Sequence, residues 1–176
     1  MNTPLHIEIV PAGEAVDLLS LRPALETAIC HPFTREVITD EVEQVMTAVR
    51  ESADGLGNRF YAIAQTSGGI AVGVMGLQSP DPAMRIYTTT VNPIEITNAY
   101  LDRDLRGQHV GTKLVSYLEL VAREQGNTEI VLNSGPRYAR SGWPFWRKTY
   151  GDPVAIAKNY YGPRYDAMIW RKLLSD

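Results

Sequence analysis

The chain has 176 residues, 44% hydrophobic and 21% charged, and its 17 Lys and Arg against 20 Asp and Glu leave a net charge of −3. That length suits a single domain, residues 1–176, which should bury roughly 70% of its unfolded surface without disulfide or metal staples. The slight acidic balance argues against a nucleic-acid binder, and three Trp, nine Tyr and three Phe argue against wholesale disorder. Cys30 is the lone cysteine, so no intrachain disulfide can form and a reducing cytoplasm is the expected location. No apolar run approaches the ~20 residues of a membrane span, and MNTPLHIEIV lacks the basic start and long apolar stretch of a secretory signal. A soluble cytoplasmic domain is expected, with neither membrane nor nucleic acid as partner.

Residues 6–10 alternate as a half-buried strand does, and a helix is expected over about 14–29, kinked or divided at Pro23. Thr39-Asp40 reads as the N-cap of a second helix running to about 52 and carrying Val42, Val45, Met46 and Val49. RFYAIAQT (59–66) and IAVGVMGL (70–77) are β-leaning, with Ser67-Gly68-Gly69 as a hairpin turn between them. After a break at 80–82 and an extended TTTVNP segment, Ile94 to Leu101 forms another strand. A long helix follows over about 110–125, striped by Leu114, Val115, Leu118, Val121 and Ala122 and closed by Gly126. Strand 128–132, a short aromatic helix over 143–150, and closing strands over 153–158 and 165–172 complete the order β-α-α-β-β-β-α-β-α-β-β. That order means α+β or mixed α/β, with a mostly antiparallel mixed sheet and about four helices, and excludes a doubly wound parallel sheet.

The junction IEITNAYLDRDLRGQHVGTKL carries the most chemistry. A strand ends, a charged turn follows, and RGQHVGT opens the long helix. The first amides of a helix have no intrahelical partner and carry the positive end of its dipole, so this corner can cradle an anion. Gly107, Gly111 and Thr112 supply openness and a hydroxyl. The spacing is wrong for a dinucleotide GxGxxG fingerprint, and Gly111-Thr112-Lys113 lacks the order of a Walker loop.

Arg106-Gly107-Gln108-His109-Val110-Gly111 resembles the motif [QR]-x-x-G-x-[GA] of the GNAT superfamily of N-acetyltransferases, with His109 standing where its first Gly is expected. The element order is similar to that fold from about residue 6 to 173. The resemblance implies a sheet splayed after its fourth strand and an acyl-coenzyme A cosubstrate, most often acetyl-CoA. It places the pyrophosphate on Arg106, Gly107, Gln108, His109, Val110, Gly111 and Thr112, and the pantetheine along Ala99, Tyr100 and Leu101. Asn133, just past the following strand, joins this coenzyme set. A left-handed backbone at His109 would cost a non-Gly residue ~1 kcal/mol.

Acyl transfer to an amine needs the amine deprotonated, the carbonyl oxygen stabilised and the departing thiolate protonated. The resemblance implies direct transfer in a ternary complex to a primary amine of a small molecule or peptide, with Glu95 as base through water and an amide near Tyr100 as oxyanion donor. It allows a homodimer and calls for no metal. Where the family often carries a Tyr acid, this chain has Trp146, which cannot donate a proton at neutral pH. Tyr150 lies on the same helical face four residues on and is the candidate acid, with Tyr160, Tyr161 or water as alternatives. Trp146 and His109 also support a second reading, a degenerate acyl-CoA-binding sensor or assembly module. On the acceptor side, Arg137 and Arg140 could grip a carboxylate or phosphate. The acidic stretch Glu36, Asp40, Glu41, Glu43, Glu51 and Asp54 would instead welcome a cationic amine.

Overall fold

Each β-leaning run becomes a strand in the computed structural model, which describes residues 6–13 and 16–174. These are β1 (Ile7–Pro11), β2 (Arg59–Thr66), β3 (Ala71–Gln78), β4 (Pro93–Leu101), β5 (Glu129–Ser134), β6 (Ala155–Ala157) and β7 (Ala167–Leu173). The helices among the described residues are α1 (Arg22–Ala28), α2 (Thr39–Ala53), α3 (Pro82–Arg85), α4 (Val110–Glu124) and α5 (Gly142–Tyr150), one more than the four expected. The strands are hydrogen-bonded in the order β1-β2-β3-β4-β5-β7-β6. Pairs β1–β2, β2–β3, β5–β7 and β6–β7 are antiparallel and β4–β5 is parallel, which is the mixed, mostly antiparallel sheet of the expected α+β class. The parallel ladder covers Pro93↔Glu129 to Glu95↔Val131 and ends there, while β4 runs on to Leu101.

Boundaries moved where a local rule outweighed periodicity. The first expected helix loses its front: residues 14 and 15 lie outside the described residues, Leu18–Leu21 form a 3-10 turn capped by Asp17, and α1 opens only at Arg22. Pro23 falls in the first turn of α1, where a missing N–H costs nothing, so it starts the helix and does not kink it. Thr39 is the first residue of α2 and not its cap. The chain is held to Ile38, whose amide donates to Ile29 O (3.0 Å) and whose carbonyl accepts from Val42 N (3.1 Å). The closing strands shorten to 155–157 and shift to 167–173. At the end of α4, Gly126 at φ +78 donates to Arg123 O and Asn127 donates to Ala122 O, the paired bonds of a Schellman stop.

The chain divides into two compact units, one of residues up to Gln78 with Thr97–Leu118, the other of Ser79–Ile96 with the residues from Glu119 on. In the first, α1, α2, β2 and β3 close a core of Leu21, Leu25, Ile29, Val45, Tyr61 and Val74, each almost wholly buried. Tyr61 reaches through this core, and its hydroxyl donates to Asn98 Oδ1 at 2.7 Å. Asn98 sits inside β4 at φ 48, so the strand bulges there around a left-handed residue that only Gly and the short amides accept readily. Gly76 makes room for Tyr61: an added Cβ would come within 2.5 Å of Cε1 of the ring and 3.1 Å of Thr97 Cγ2.

The second unit is organised around Glu129, whose side chain is wholly buried at the start of β5. Its carboxylate accepts from the amides and hydroxyls of Thr89 and Thr90 and pairs with Arg171 Nε at 3.2 Å. Burial opposes its charge, but the hydrogen bonds from Thr89 and Thr90 together outweigh burial and hold the carboxyl below its ordinary value. The TTTVNP segment, expected only to be extended, is thereby tied down. Met84, Val131, Ala157, Ala167 and Ile169 pack the adjoining core.

Two outcomes follow from these contacts. Gly76→Ala should destabilise the protein by about 1–3 kcal/mol in urea unfolding, because a buried ring must shift; an unchanged midpoint would show that Tyr61 can give way. Glu129→Gln should cost about 1.5–3 kcal/mol at pH 7. Because the folded carboxyl titrates lower than the unfolded one, the wild-type advantage is present above the unfolded value and is lost as pH falls through the folded one. The two proteins should therefore converge in stability on acidification, and a constant gap down to pH 3 would contradict this assignment.

Candidate active site

In the first unit, the bulge at Asn98 and the turn that opens α4 set the chain's exposed backbone. Beyond Asn98, Ala99 is exposed and Tyr100 and Leu101 are half-buried. The Tyr100 hydroxyl donates to Glu41 Oε1 at 2.8 Å, so one of the acidic residues of α2 is already engaged with β4. Gly73 lets β3 come close here, since an added Cβ would meet Leu101 Cδ1 at 2.8 Å and Tyr100 O at 3.2 Å. Asp102 continues the pairing by donating its amide to Val72 O, and its carboxylate caps the 3-10 turn Arg103–Leu105 through Asp104 N.

After that turn, Gly107 has φ +78 and His109 has φ 62. His109 thus takes the left-handed conformation for which the motif elsewhere uses glycine, at the cost anticipated for a residue with a Cβ. Gly107 is required for its backbone and not for space, because an added Cβ there would touch nothing within 4 Å. Arg106, Gly107, Gln108 and His109 are all exposed, as is Thr112. The first α-helical turn of α4 closes with Lys113 N donating to His109 O at 3.1 Å. By helix geometry the amides of Val110, Gly111 and Thr112 precede that bond and have no partner four residues back. Exposed Arg106, the helix dipole and these amides make a corner able to attract an anion, and the left-handed Gly107 and His109 curl its backbone. Among the described residues no group of three or more His, Cys, Asp or Glu side chains could hold a metal ion.

The second unit holds the remaining candidates. Glu95, on β4, is 3% exposed; its Oε2 accepts from Asp81 N at 2.9 Å and its Oε1 from Asn133 Nδ2 at 3.2 Å. Asn133 Oδ1 in turn accepts from the Tyr161 hydroxyl. The structure therefore joins Glu95 and Asn133, two residues nominated for different jobs, in one chain of hydrogen bonds. Tyr161, named above only as an alternative acid, is its third member, and Asp81 is the unforeseen one. Asp81 is placed by capping α3, where its carboxylate accepts from Ala83 N, and an Asp-Pro pair before a short turn was the signal available in the sequence.

Tyr150 lies in another network. Trp146 is buried and packs on it at 5.7 Å, and Lys172 Nζ stands 5.4 Å from its ring. Burial first, then the Glu119 carboxylate, push its phenol far up, and Lys172 and Arg123 pair with that same Glu119. For Tyr160 and Tyr161 the nearby carboxylate is Glu95. Burial, followed by the charges of Glu95 and Asp81, lifts Tyr160 to about 12. Arg137 donates to the Tyr138 hydroxyl at 2.6 Å and lies 4.8 Å over that ring, whereas Arg140 is exposed.

With this geometry in place, comparison with known proteins is decisive for the family. Residues 25–151 match the model of the acetyltransferase (GNAT) family. No curated protein matches the chain. The fold is similar to a GNAT-family protein from Desulfovibrio desulfuricans, with a TM-score of 0.74 and 16% identity over 97% of this chain and 100% of that one. It is also similar to aminoglycoside 6'-acetyltransferase type Ii (TM-score 0.70, 17% identity, 98% and 99% covered). A third similar structure is the PaiA N-acetyltransferase of Thermoplasma acidophilum in complex with coenzyme A (TM-score 0.64, 15% identity, 96% and 100% covered). The family match extends from α1 to the glycine that follows α5 and so includes the whole β4–α4 junction; the chain belongs to the GNAT acetyltransferase family.

Proposed function

We propose that this protein transfers an acetyl group from acetyl-CoA to a primary amine of a small molecule or peptide, directly and within a ternary complex. The observation that carries this reading is the curl at the head of α4. Left-handed Gly107 and His109 precede helix amides that lack i−4 partners, beside an exposed Arg106. An anion of two linked phosphates suits such a surface better than any neutral ligand does. Arg106 and the segment Gly107–Thr112 would hold the coenzyme's diphosphate, and Ala99, Tyr100 and Leu101 would face its pantetheine arm. When bound, acetyl-CoA supplies an acyl group already activated as a thioester.

The chain's own residues then have three tasks. Glu95 is the carboxylate assigned to receive the proton of the attacking ammonium through water; an amine of pKa ~10.4 is otherwise almost wholly protonated at pH 7. Asn133 holds Glu95 through Oε1 and the Asp81 amide holds it through Oε2, so both carboxylate oxygens are fixed in place. For the departing thiolate we assign protonation by water, because a thiol of pKa ~8.5 leaves tolerably well, and because Tyr150 keeps its buried hydroxyl near Glu119.

The test is release of free thiol from acetyl-CoA with a panel of amines: an aryl-alkylamine, a linear diamine, an aminoglycoside and a short peptide. Release above background with at least one amine is expected. Coenzyme A at ~100 times its Kd should add about 2.7 kcal/mol of stability, seen as a melting shift. Gly111→Glu puts bulk and negative charge among the amides and should abolish that shift in a folded protein. A retained shift would refute the cradle; a shift without turnover of any amine would favour the sensor or assembly reading.

A further inference from the structure

The hydrogen bonds around Glu95 have a direction. Both carboxylate oxygens accept from N–H groups, Oε2 from Asp81 and Oε1 from Asn133. A carboxylate cannot donate, so Asn133 must turn its NH2 toward Glu95 and its carbonyl oxygen the other way. That carbonyl meets Tyr161, whose hydroxyl donates to it. The one phenolic proton is thereby committed inward, and what the oxygen of Tyr161 can offer to a visitor is lone pairs.

The ring is held on one side and exposed on the other. Tyr161 is 52% exposed, while its inner edge rests on Gly135, where an added Cβ would come within 2.9 Å of Cε2. Tyr160 meets it edge-on at 5.0 Å and 71°. The connection between β6 and β7 that carries both is cross-tied: Tyr161 N donates to Tyr165 O, Asn159 N donates to Asp166 Oδ1, and Arg164 N donates to Asn159 Oδ1. Burial first raises both phenols; the carboxylates of Glu95 and Asp81 then act on Tyr160, and Glu95 acts on Tyr161, where Arg137, engaged with Tyr138, opposes it.

We propose that Tyr161 binds the acceptor: its hydroxyl oxygen receives an N–H of the amine, and the preferred amine is a primary ammonium on an aromatic or apolar stem. A lone-pair donor with carboxylates behind it favours a cation, and the crossed Tyr160 and Tyr161 faces suit an aromatic stem. This inference rests on the acetyl-transfer reading and adds to it the side chain and the chemical class of the substrate.

Calorimetry with 2-phenylethylamine as probe tests it, with 2-phenylacetate as a control of the same stem that can only accept hydrogen bonds. Titrations are run with and without saturating coenzyme A. The wild-type protein should bind the amine and discriminate against the acid. Tyr161→Phe should bind the amine at least tenfold more weakly yet keep the full coenzyme melting shift, which a merely structural tyrosine would not separate. Glu95→Gln frees Asn133 to turn over and should narrow the preference for amine over acid. Equal amine affinity in Tyr161→Phe, preference for phenylacetate, or no amine binding beside an intact coenzyme shift would each overturn the proposal. A wild-type protein with no coenzyme shift would overturn the acetyl-transfer reading instead. Amine binding that still depends on Tyr161 would then leave the ammonium site standing by itself.

Discussion

The Tyr61 hydroxyl, buried and donating to Asn98, is the contact on which the far end of β4 depends. A left-handed residue in a strand is a standing cost, and it persists where surrounding structure over-determines it. Here the determinants are the side-chain bond itself, the Thr97 hydroxyl donating to the same Oδ1 at 3.2 Å, and the vacancy of a side chain at Gly76. Beyond Asn98, β4 runs on to Leu101, Asp102 N donates to Val72 O, and the strand delivers its end to the charged turn that launches α4. Burial also raises the Tyr61 phenol, which keeps it protonated and therefore a donor across any physiological pH.

Under the proposed acetyl transfer, one strand serves two chemistries. Glu95 belongs to the first half of β4, buried and gripped at both oxygens, where an anion can be kept ready for a proton. Ala99 to Leu101 belong to the second half, exposed or half-buried, where an extended ligand can lie. β4 is buried from Pro93 to Ile96 and half-buried or exposed from Thr97 to Leu101. Glu129, bound by four donor groups and Arg171, is by contrast a structural anion.

Much of this was legible in the sequence because it is local. The RGQHVG segment, the amphipathic stripe of α4 and its glycine stop all rest on contacts within a few residues, and His109 adopts the left-handed backbone that its place in the motif demanded. The division expected at Pro23 is equally local: the segment breaks into a 3-10 turn ending at Leu21 and a helix opening at Arg22, so Pro23 falls in the first turn, where proline fits, and not in a helix interior, which it would break. The rest rests on distant partners. Tyr61 lies 37 residues from Asn98, Glu129 lies 40 from Thr89, and Tyr161 lies 28 from Asn133. No periodicity or spacing marks such pairs. An Asn in a strand is only a weak hint of a bulge until the tyrosine that pins it is in view. Tyr150 shows the converse, a residue on the right helical face whose environment, beside Glu119 and Lys172, is set by packing that spacing does not record.

In the proposed reading the backbone from Gly107 to Thr112 grips a diphosphate. A crystal structure with coenzyme A measures this directly: diphosphate oxygens should lie within hydrogen-bond distance of several of those amides, with His109 still left-handed and the Tyr61–Asn98 bond intact. A coenzyme whose phosphates rest elsewhere, or a segment that must refold into ordinary right-handed helix to admit them, would contradict the account.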